Sequence, residues 1–229
     1  MRIAKFISSA GYCSRREAER LINKKKVYVN DTLCVHPSEK VDEKDIIKIN
    51  DKIIKLSNKI KLWKLHKPIK YICSTKDNLK RKKIFDLIPK NIPKLISIGR
   101  LDYMSEGLIL LTNSGEYSRY LELPSSKIER TYRVCINGKI NINDIKKINK
   151  GLTINKIKYN QARATLEREK DSYSWLIFKL KEGKNREIRK ICNFFSWKIV
   201  KLTRISFGPY KLGNLKLGKI EEIKIIKND

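Results

Sequence analysis

The residue with the clearest capacity for chemistry in this chain is Asp102, which follows Gly99-Arg100-Leu101. A turn-forming Ser105-Glu106-Gly107 comes next, and the apolar run 108–111 follows it. This order predicts a turn that holds a carboxylate at the edge of a buried strand. An ionised carboxylate in such a place can stabilise or attack an electron-poor carbon. On this motif alone, the plainer interpretation is an aspartate that caps a helix or braces a turn.

Two later segments carry residue types that suit the same chemistry. Residues 130–134 alternate polar and apolar side chains, so Tyr132 is expected to present its phenol on one face of a strand. Residues 181–190 predict a glycine-containing loop that runs into a helix. Arg186 and Arg189 fall in the first turn of that helix, where cations oppose the helix dipole. We therefore expect an anionic group to compensate for them.

The net charge of the chain points to a polyanionic partner. Lys and Arg total 53 against 24 acidic residues, which gives a formal charge of +29. Part of this excess is typical of a lysine-rich surface, but the remainder favours nucleic acid. RNA is the better candidate, because the sequence predicts no groove-reading helix with a dimer interface of the kind that DNA-binding proteins use.

The five cysteines and two histidines do not suggest a metal site or a disulfide framework. The cysteines are widely scattered, no CxxC pair exists, and His36 and His66 are far apart. Reduced thiols, mostly in protein cores, are the simpler interpretation. No apolar run approaches the ~18 residues of a membrane span. We expect a cytoplasmic protein that has no targeting segment and no contact with a membrane.

The first 50 residues predict two helices followed by a small sheet. Gly11 should end the first helix, and Ser14 with Glu17 forms a capping box that opens the second. The exposed side of the second helix carries three arginines that we expect to contact RNA: Arg15, Arg16 and Arg20. The polar residues 51–60 are then expected to form a linker.

Residues 61–229 mix short strand patterns with helical ones. Strands are expected at Leu62–His66, Ile69–Ser74, Ile96–Ile98, Leu108–Thr112, Tyr132–Ile136, Trp175–Leu180 and Ile199–Leu202. Helical stretches are expected near Phe85–Ile88, Glu116–Leu123, Ile142–Asn149 and Arg186–Phe195. Together they predict an α+β domain around a mixed, largely antiparallel sheet. The cationic segment 76–83 is expected to be a poorly structured loop, which is either merely solvated or in contact with RNA.

Several segments resemble known families in the same order along the chain. Residues 2–31 (RIAKFISSAGYCSRREAERLINKKKVYVND) are similar to an S4 RNA-binding domain. The segments around Asp102, Tyr132, Arg189 and Arg204 resemble motifs of the RsuA/RluB family of ribosomal RNA pseudouridine synthases. The phrases WKLHKP, LISIGRLD, LELPSSK and EGKNREIR make the enzymes of the RluB type the nearest match.

The resemblance implies that the chain isomerises a uridine of ribosomal RNA to pseudouridine. In this scheme the catalytic residues are Asp102, Tyr132, which lies against the base, and Arg189, which pairs with the aspartate. RNA-binding roles fall to Arg100, Lys184, Arg186 and Arg204, in addition to the arginines of the second helix. Glu187 stands where many relatives have Gln, so no role is assigned to that position. The family chemistry needs no cofactor and no metal.

The implied partner is 23S ribosomal RNA, either free or in an assembly intermediate, and we expect a monomer. One alternative is an enzyme that acts on 16S ribosomal RNA. Another is a non-catalytic S4-type RNA-binding or ribosome-assembly factor, which would not need Asp102, Tyr132 and Arg189 together. The sequence does not identify the uridine that is modified.

Overall fold

The computed structural model describes residues 1–56, 59–159 and 162–226, which divide into two compact units. The first unit contains residues 1–61 together with the short segments 89–96 and 112–117. The second unit contains residues 62–88 and 97–111 and the chain from Ser118 onward.

The first unit holds two helices and a four-stranded sheet. The helices are α1 (Ile3–Ser9) and α2 (Arg15–Asn23), and the strands are β1 (Val27–Val29), β2 (Thr32–Leu33), β3 (Ile47–Ile49) and β4 (Lys52–Ile54). The strands lie in the order β2-β1-β3-β4. Gly11 follows the end of α1 with a φ of +77°, and the Ser14 hydroxyl accepts a hydrogen bond from the Glu17 amide, as the sequence predicts.

The sheet of the first unit continues past residue 50, where the sequence predicted a linker. Residues 52–54 form β4, which pairs with β3. Residues 57 and 58 of that predicted linker lie outside the described residues. The apolar faces of the helices and strands meet in one core that contains Ile3, Phe6, Ile7, Ala18, Ile22, Val27, Ile47 and Ile49. The helices therefore cover one face of a sheet that is too small to bury its apolar side chains alone.

The second unit is built on a large sheet. Its strands are β5 (Leu62–Lys67), β6 (Ile96–Ile98), β7 (Glu106–Thr112), β8 (Arg130–Asn137), β9 (Leu152–Ile154), β10 (Ile157–Tyr159), β11 (Ala162–Glu169), β12 (Tyr173–Leu180), β13 (Ile199–Phe207), β14 (Tyr210–Lys211) and β15 (Ile220–Ile223). The main order is β11-β12-β8-β13-β7-β5-β15, with β14 beside β13 and β6 beside β7, and β9 and β10 form a separate hairpin. Strand β13 runs parallel to β7 but antiparallel to β8, so the sheet is mixed and largely antiparallel, as predicted.

Helix α3 (Gly115–Glu122) begins in the segment 112–117 of the first unit and ends in the second. Two further helices of the second unit accompany its sheet: α4 (Ile142–Lys150) and α5 (Glu187–Phe194). Helices α4 and α5 share one core with strands β8, β11, β12 and β13. Ile145 and Ile148 represent α4 in this core, while Ile188 and Ile191 represent α5. This packing fixes the start of α5 at the edge of the cleft described below.

Two regions differ from the predicted elements. The segment 69–74 forms turns rather than a strand, with a single bridge between Ile72 and Lys83. The predicted helix near residues 85–88 is a short 3₁₀ turn over Ile84–Leu87. Alternating apolar residues are not enough to make a strand where no neighbouring strand offers its hydrogen bonds.

Candidate active site

The turn that carries Asp102 connects β6 to β7 near the centre of the large sheet. The Ser105 amide donates a hydrogen bond of 3.0 Å to the Asp102 carbonyl and so closes the turn. Leu101 is buried beside it, whereas one third of the Asp102 side chain is exposed. The carboxylate is therefore presented to solvent from a backbone that the sheet holds still.

Lys67 holds this turn from beneath. It is fully buried, and its ammonium donates hydrogen bonds to the carbonyls of Ser105 (2.7 Å), Asp102 (3.1 Å) and Pro68 (3.0 Å). Burial lowers the pKa of this ammonium to about 8, although the neighbouring Cys73 and Asp102 oppose the shift. Sequence reasoning missed Lys67. The signal was its place in the alternation of β5, where it falls on the same inward side as Leu65.

Arg189 brings the start of α5 against the same turn. Its Nε lies 3.5 Å from Oδ2 of Asp102, while its Nη2 donates to the Met104 carbonyl (2.8 Å) and to the Ser105 hydroxyl (3.1 Å). Burial lowers the pKa of this guanidinium, and Asp102 is the main opposing influence. The predicted pair of residues 102 and 189 is thus brought together, although 86 residues separate them in the chain.

Arg186 lies on the exposed side of the same carboxylate. It precedes α5 with a left-handed φ of +54°, and its Nη1 lies 3.7 Å from Oδ2 of Asp102. The carboxylate therefore supplies the negative charge that the sequence led us to expect beside the cationic helix start. Because the Arg186 side chain is about half exposed, its pairing with Asp102 is weak in water.

These groups open onto a cleft of about 260 Å³ within the second unit. Asp102 and Arg189 lie on its wall together with Tyr132 of β8. Apolar side chains of Leu180 and Leu202 line it as well. Tyr132 is half-buried, so one side of its ring packs on the core while the residue borders the cleft. The cleft combines a paired carboxylate with an aromatic and apolar surface of the kind that binds a planar base.

Arg204 is buried rather than on the surface where an RNA-contacting side chain was expected. Only 2% of Arg204 is exposed, because β13 lies in the middle of the sheet. The Nε of Arg204 donates a hydrogen bond of 2.6 Å to the Leu108 carbonyl. The guanidinium lies 5.3 Å from the centre of the Phe207 ring, and Arg130 lies 4.8 Å from the same ring. Both arginines line the cleft. The burial of Arg204 and its contact with the Phe207 ring favour a structural role for this residue.

Glu187 is buried beside them in the first turn of α5. It is 3% exposed, and neither of its carboxylate oxygens has a hydrogen-bonding partner among the described residues. Burial raises its pKa to about 7, and Glu182 adds to the rise while Lys184 and Arg130 oppose it. Burial without a hydrogen-bonding partner thus disfavours the charged form of this carboxyl.

The other predicted RNA-binding residues differ in their exposure and in their contacts with neighbouring groups. Arg100 is exposed and borders the cleft. The ammonium of Lys184 is engaged by Glu182 and the Lys158 carbonyl, and it lies 5.3 Å from the centre of the Tyr159 ring. In the first unit three arginines are exposed on α2: Arg15, Arg16 and Arg20.

Residues 1–56, 59–159 and 162–226 contain no group of three or more side chains placed to hold a metal ion. Over these ranges no helix combines the length and apolar character that crossing a bilayer requires. All five cysteines are free thiols, and four of them are buried.

Known proteins share both the sequence motifs and the fold of this chain. The model of the RNA pseudouridylate synthase family matches residues 61–194, and that of the S4 domain matches residues 1–47. A protein of Rickettsia prowazekii named as an uncharacterized RNA pseudouridine synthase is 44% identical, covering 97% of this chain and 94% of that one. Ribosomal large subunit pseudouridine synthase B of Bacillus subtilis is 33% identical, covering 97% and 91%. A crystal structure of a pseudouridylate synthase superposes with a TM-score of 0.67 at 25% identity, covering 98% of this chain and 96% of that one.

Proposed function

Because this chain belongs to the RNA pseudouridylate synthase family, we propose that it isomerises a uridine of 23S ribosomal RNA to pseudouridine, with Asp102 as the essential carboxylate. The observation that carries the proposal is the Asp102 carboxylate, held 3.5 Å from Arg189 on the wall of a cleft that Tyr132 also borders. The likeness to a large-subunit enzyme over nearly the whole chain supports 23S rather than 16S ribosomal RNA as the substrate.

The reaction breaks the N1–C1′ bond of uridine, turns the base and joins it again through C5. One carboxylate suffices for the first step, since uracil leaves as a stabilised anion. Asp102 acts on the ribose, either by attack at C1′ or by removal of a sugar proton. Arg189 pairs with this carboxylate at 3.5 Å and holds it towards the ribose of the bound nucleotide.

The target nucleotide must leave the RNA helix to reach Asp102, which costs a few kcal/mol. Tyr132 stacks on the everted base and assists loss of the C5 proton. Arg100, which is exposed beside the cleft, contacts the phosphate of the same nucleotide. Phosphate contacts from the exposed arginines of α2 offset the cost of extrusion without reading sequence.

The test uses unmodified 23S and 16S transcripts that carry tritium at C5 of uridine. The wild-type protein should release tritium from the 23S transcript at one mapped position, and Asp102→Asn should lose this activity by at least about a thousandfold. Asp171→Asn, which changes a fully exposed aspartate, is the matched control and should keep the wild-type rate. Substantial turnover by Asp102→Asn would refute the role of this carboxylate, and release from the 16S transcript alone would refute the choice of substrate.

A further inference from the structure

A second cavity of about 520 Å³ adjoins the active-site cleft within the same unit. The two share Asp102 and Arg100 on one side and the loop 183–186 on the other. The remaining wall of the second cavity comes from Tyr103 and from the segment 72–81. The Asp102 carboxylate therefore lies where the cleft and the second cavity meet. If the target nucleotide is bound at Asp102, the adjacent nucleotide of the strand can enter the second cavity.

The cationic segment 76–83 forms a loop beside this cavity, as the sequence predicts, and hydrogen bonds between Asp77 and Arg81 hold part of it. The Asp77 carboxylate accepts hydrogen bonds from Nη2 (2.5 Å), Nε (3.2 Å) and the backbone amide (2.8 Å) of Arg81. These bonds lower the pKa of the Asp77 carboxyl to about 2. The side-chain bonds to Asp77 use Nε and Nη2 of Arg81, and Nη1 makes no hydrogen bond to another of the described residues.

Arg81 is held over an exposed aromatic ring. Its guanidinium carbon lies 5.8 Å from the centre of the Tyr103 ring, and 37% of Tyr103 is exposed. Tyr103 directly follows Asp102, and its carbonyl accepts a hydrogen bond of 2.7 Å from the Lys70 amide, which fixes the backbone beneath the ring. An aromatic face next to a fixed guanidinium is the arrangement on which single-stranded nucleic acids stack.

The charge of the cavity indicates the chemistry of its occupant. Lys76, Arg81, Arg100 and Arg186 contribute positive charge to its lining. Its two carboxylates, Asp77 and Asp102, are each already paired with arginines. A ligand that carries both an anionic group and a flat ring fits this lining, and a nucleotide of an RNA chain carries both.

We propose that this cavity binds the nucleotide next to the target uridine in the RNA strand, with its base stacked on Tyr103 and its phosphate bound by Arg81. This assignment rests on the proposed function, since it takes the strand to be anchored by the uridine at Asp102. The subsite holds the strand on one side of the everted nucleotide and so positions the ribose for the carboxylate. It reads no base edge, because stacking tolerates any base.

The test combines a change in the protein with a change in the RNA. The RNA carries an abasic nucleotide on either the 5′ or the 3′ side of the mapped uridine, and conversion and KM are measured with wild type, Tyr103→Leu and Tyr103→Phe. Wild type should lose roughly tenfold in kcat/KM on one of the two abasic RNAs, and Tyr103→Leu should show the same loss on the intact RNA. The two changes together should cost no more than either alone, and Tyr103→Phe should behave as wild type.

One control variant accompanies these measurements. Lys146→Ala, which removes an exposed cation on α4, reports the effect of charge alone and should leave the difference between intact and abasic RNA unchanged. Losses that multiply, or an abasic neighbour that costs wild type nothing on either side, would overturn the subsite while leaving the proposed function in place. Absence of conversion by wild type on every ribosomal RNA would overturn the proposed function and the subsite with it.

Discussion

The guanidinium of Arg189 binds both the carboxylate of Asp102 and the turn that carries it. Its Nε lies 3.5 Å from Oδ2 of Asp102, and its Nη2 donates to the Met104 carbonyl two residues further on. One planar group thus gives the carboxylate a positive counter-charge and also supports the backbone of the turn. The ammonium of a lysine at position 189 would lack the planar fork whose separate nitrogens reach these two places.

We therefore expect that the positive charge alone will not replace Arg189. Arg189→Ala should lower kcat by about a hundredfold with little change in RNA affinity, and Arg189→Lys should recover only a small part of this loss. Single-turnover conversion of 23S transcript measures the first quantity, and equilibrium RNA binding measures the second.

Arg186→Ala is the matched control for Arg189, because Arg186 faces the same oxygen from an exposed position. It should lose less than tenfold in kcat, since an exposed ion pair contributes little. A wild-type rate for Arg189→Lys, or a defect of Arg189→Ala that lies in binding alone, would contradict the double role of this guanidinium.

Removal of the buried ammonium beneath the turn should affect both stability and turnover. In Lys67→Met the carbonyls of Ser105 and Asp102 lose a charged donor inside the protein. The free energy of unfolding should fall by about 3 kcal/mol, and kcat should fall with it because the Asp102 turn loosens. Urea unfolding and single-turnover conversion measure the two effects.

The control for this change lies on the same strand. Lys64→Met removes a more accessible lysine, whose partner Glu221 is about half exposed, and it should cost less than about 1 kcal/mol. If Lys67→Met were as stable and as active as Lys64→Met, the buried ammonium would have no role in holding the turn.

Local sequence signals predicted those parts of the fold and the site whose conformation depends on a short stretch of residues. Ser14 with Glu17 predicted the start of α2, and Asp102 before an apolar run predicted the turn into β7. The charge of Arg189 at a helix start pointed to an anion that the structure supplies. These inferences needed only capping, periodicity and electrostatics.

Features that depend on distant neighbours could not be predicted in this way. Strand β11 (ARATLERE) is mostly polar because it lies at the end of the main strand order, where β12 is its neighbouring strand. Arg204 is buried because β13 became a central strand, which no local pattern announces. Glu187 offered no sequence signal for burial, since a glutamate in the first turn of a helix is ordinarily exposed.

The close approach of a neighbouring strand requires a glycine as the second residue of β7. Gly107 has a φ of +111°, and a Cβ placed there would lie 2.5 Å from the backbone nitrogen of Arg204 and closer still to its carbonyl oxygen. Gly107→Ala should therefore separate β7 from β13 and lower the free energy of unfolding by about 3 kcal/mol or more. Urea unfolding provides the measurement.

Gly138→Ala serves as the comparison, because Gly138 also has a positive φ (+82°) but open space around the added carbon. It should cost only the conformational strain, on the order of 1 kcal/mol. Equal losses in the two variants would show that the close approach of Arg204 to Gly107 is unimportant.

The buried carboxyl of Glu187 should make stability fall as pH rises. Its pKa is about 7 in the folded protein, above the ordinary value of 4.5 that the unfolded chain has. Between these two pH values the folded state binds more protons than the unfolded state, so the free energy of unfolding decreases with increasing pH. The full decrease, on the order of 3 kcal/mol, is reached once the pH exceeds about 7.

Glu187→Gln isolates this effect, because an amide has the shape of the neutral acid and does not titrate. Near pH 4.5 the variant and wild type should be equally stable, and by pH 8 the variant should be the more stable by the amount above. Urea unfolding at a series of pH values measures the difference, with Glu167→Gln as the control for an exposed, paired carboxylate. A constant difference between Glu187→Gln and wild type across this range would mean that Glu187 finds a compensating partner, and that the loop before α5 does not hold it as the structure describes.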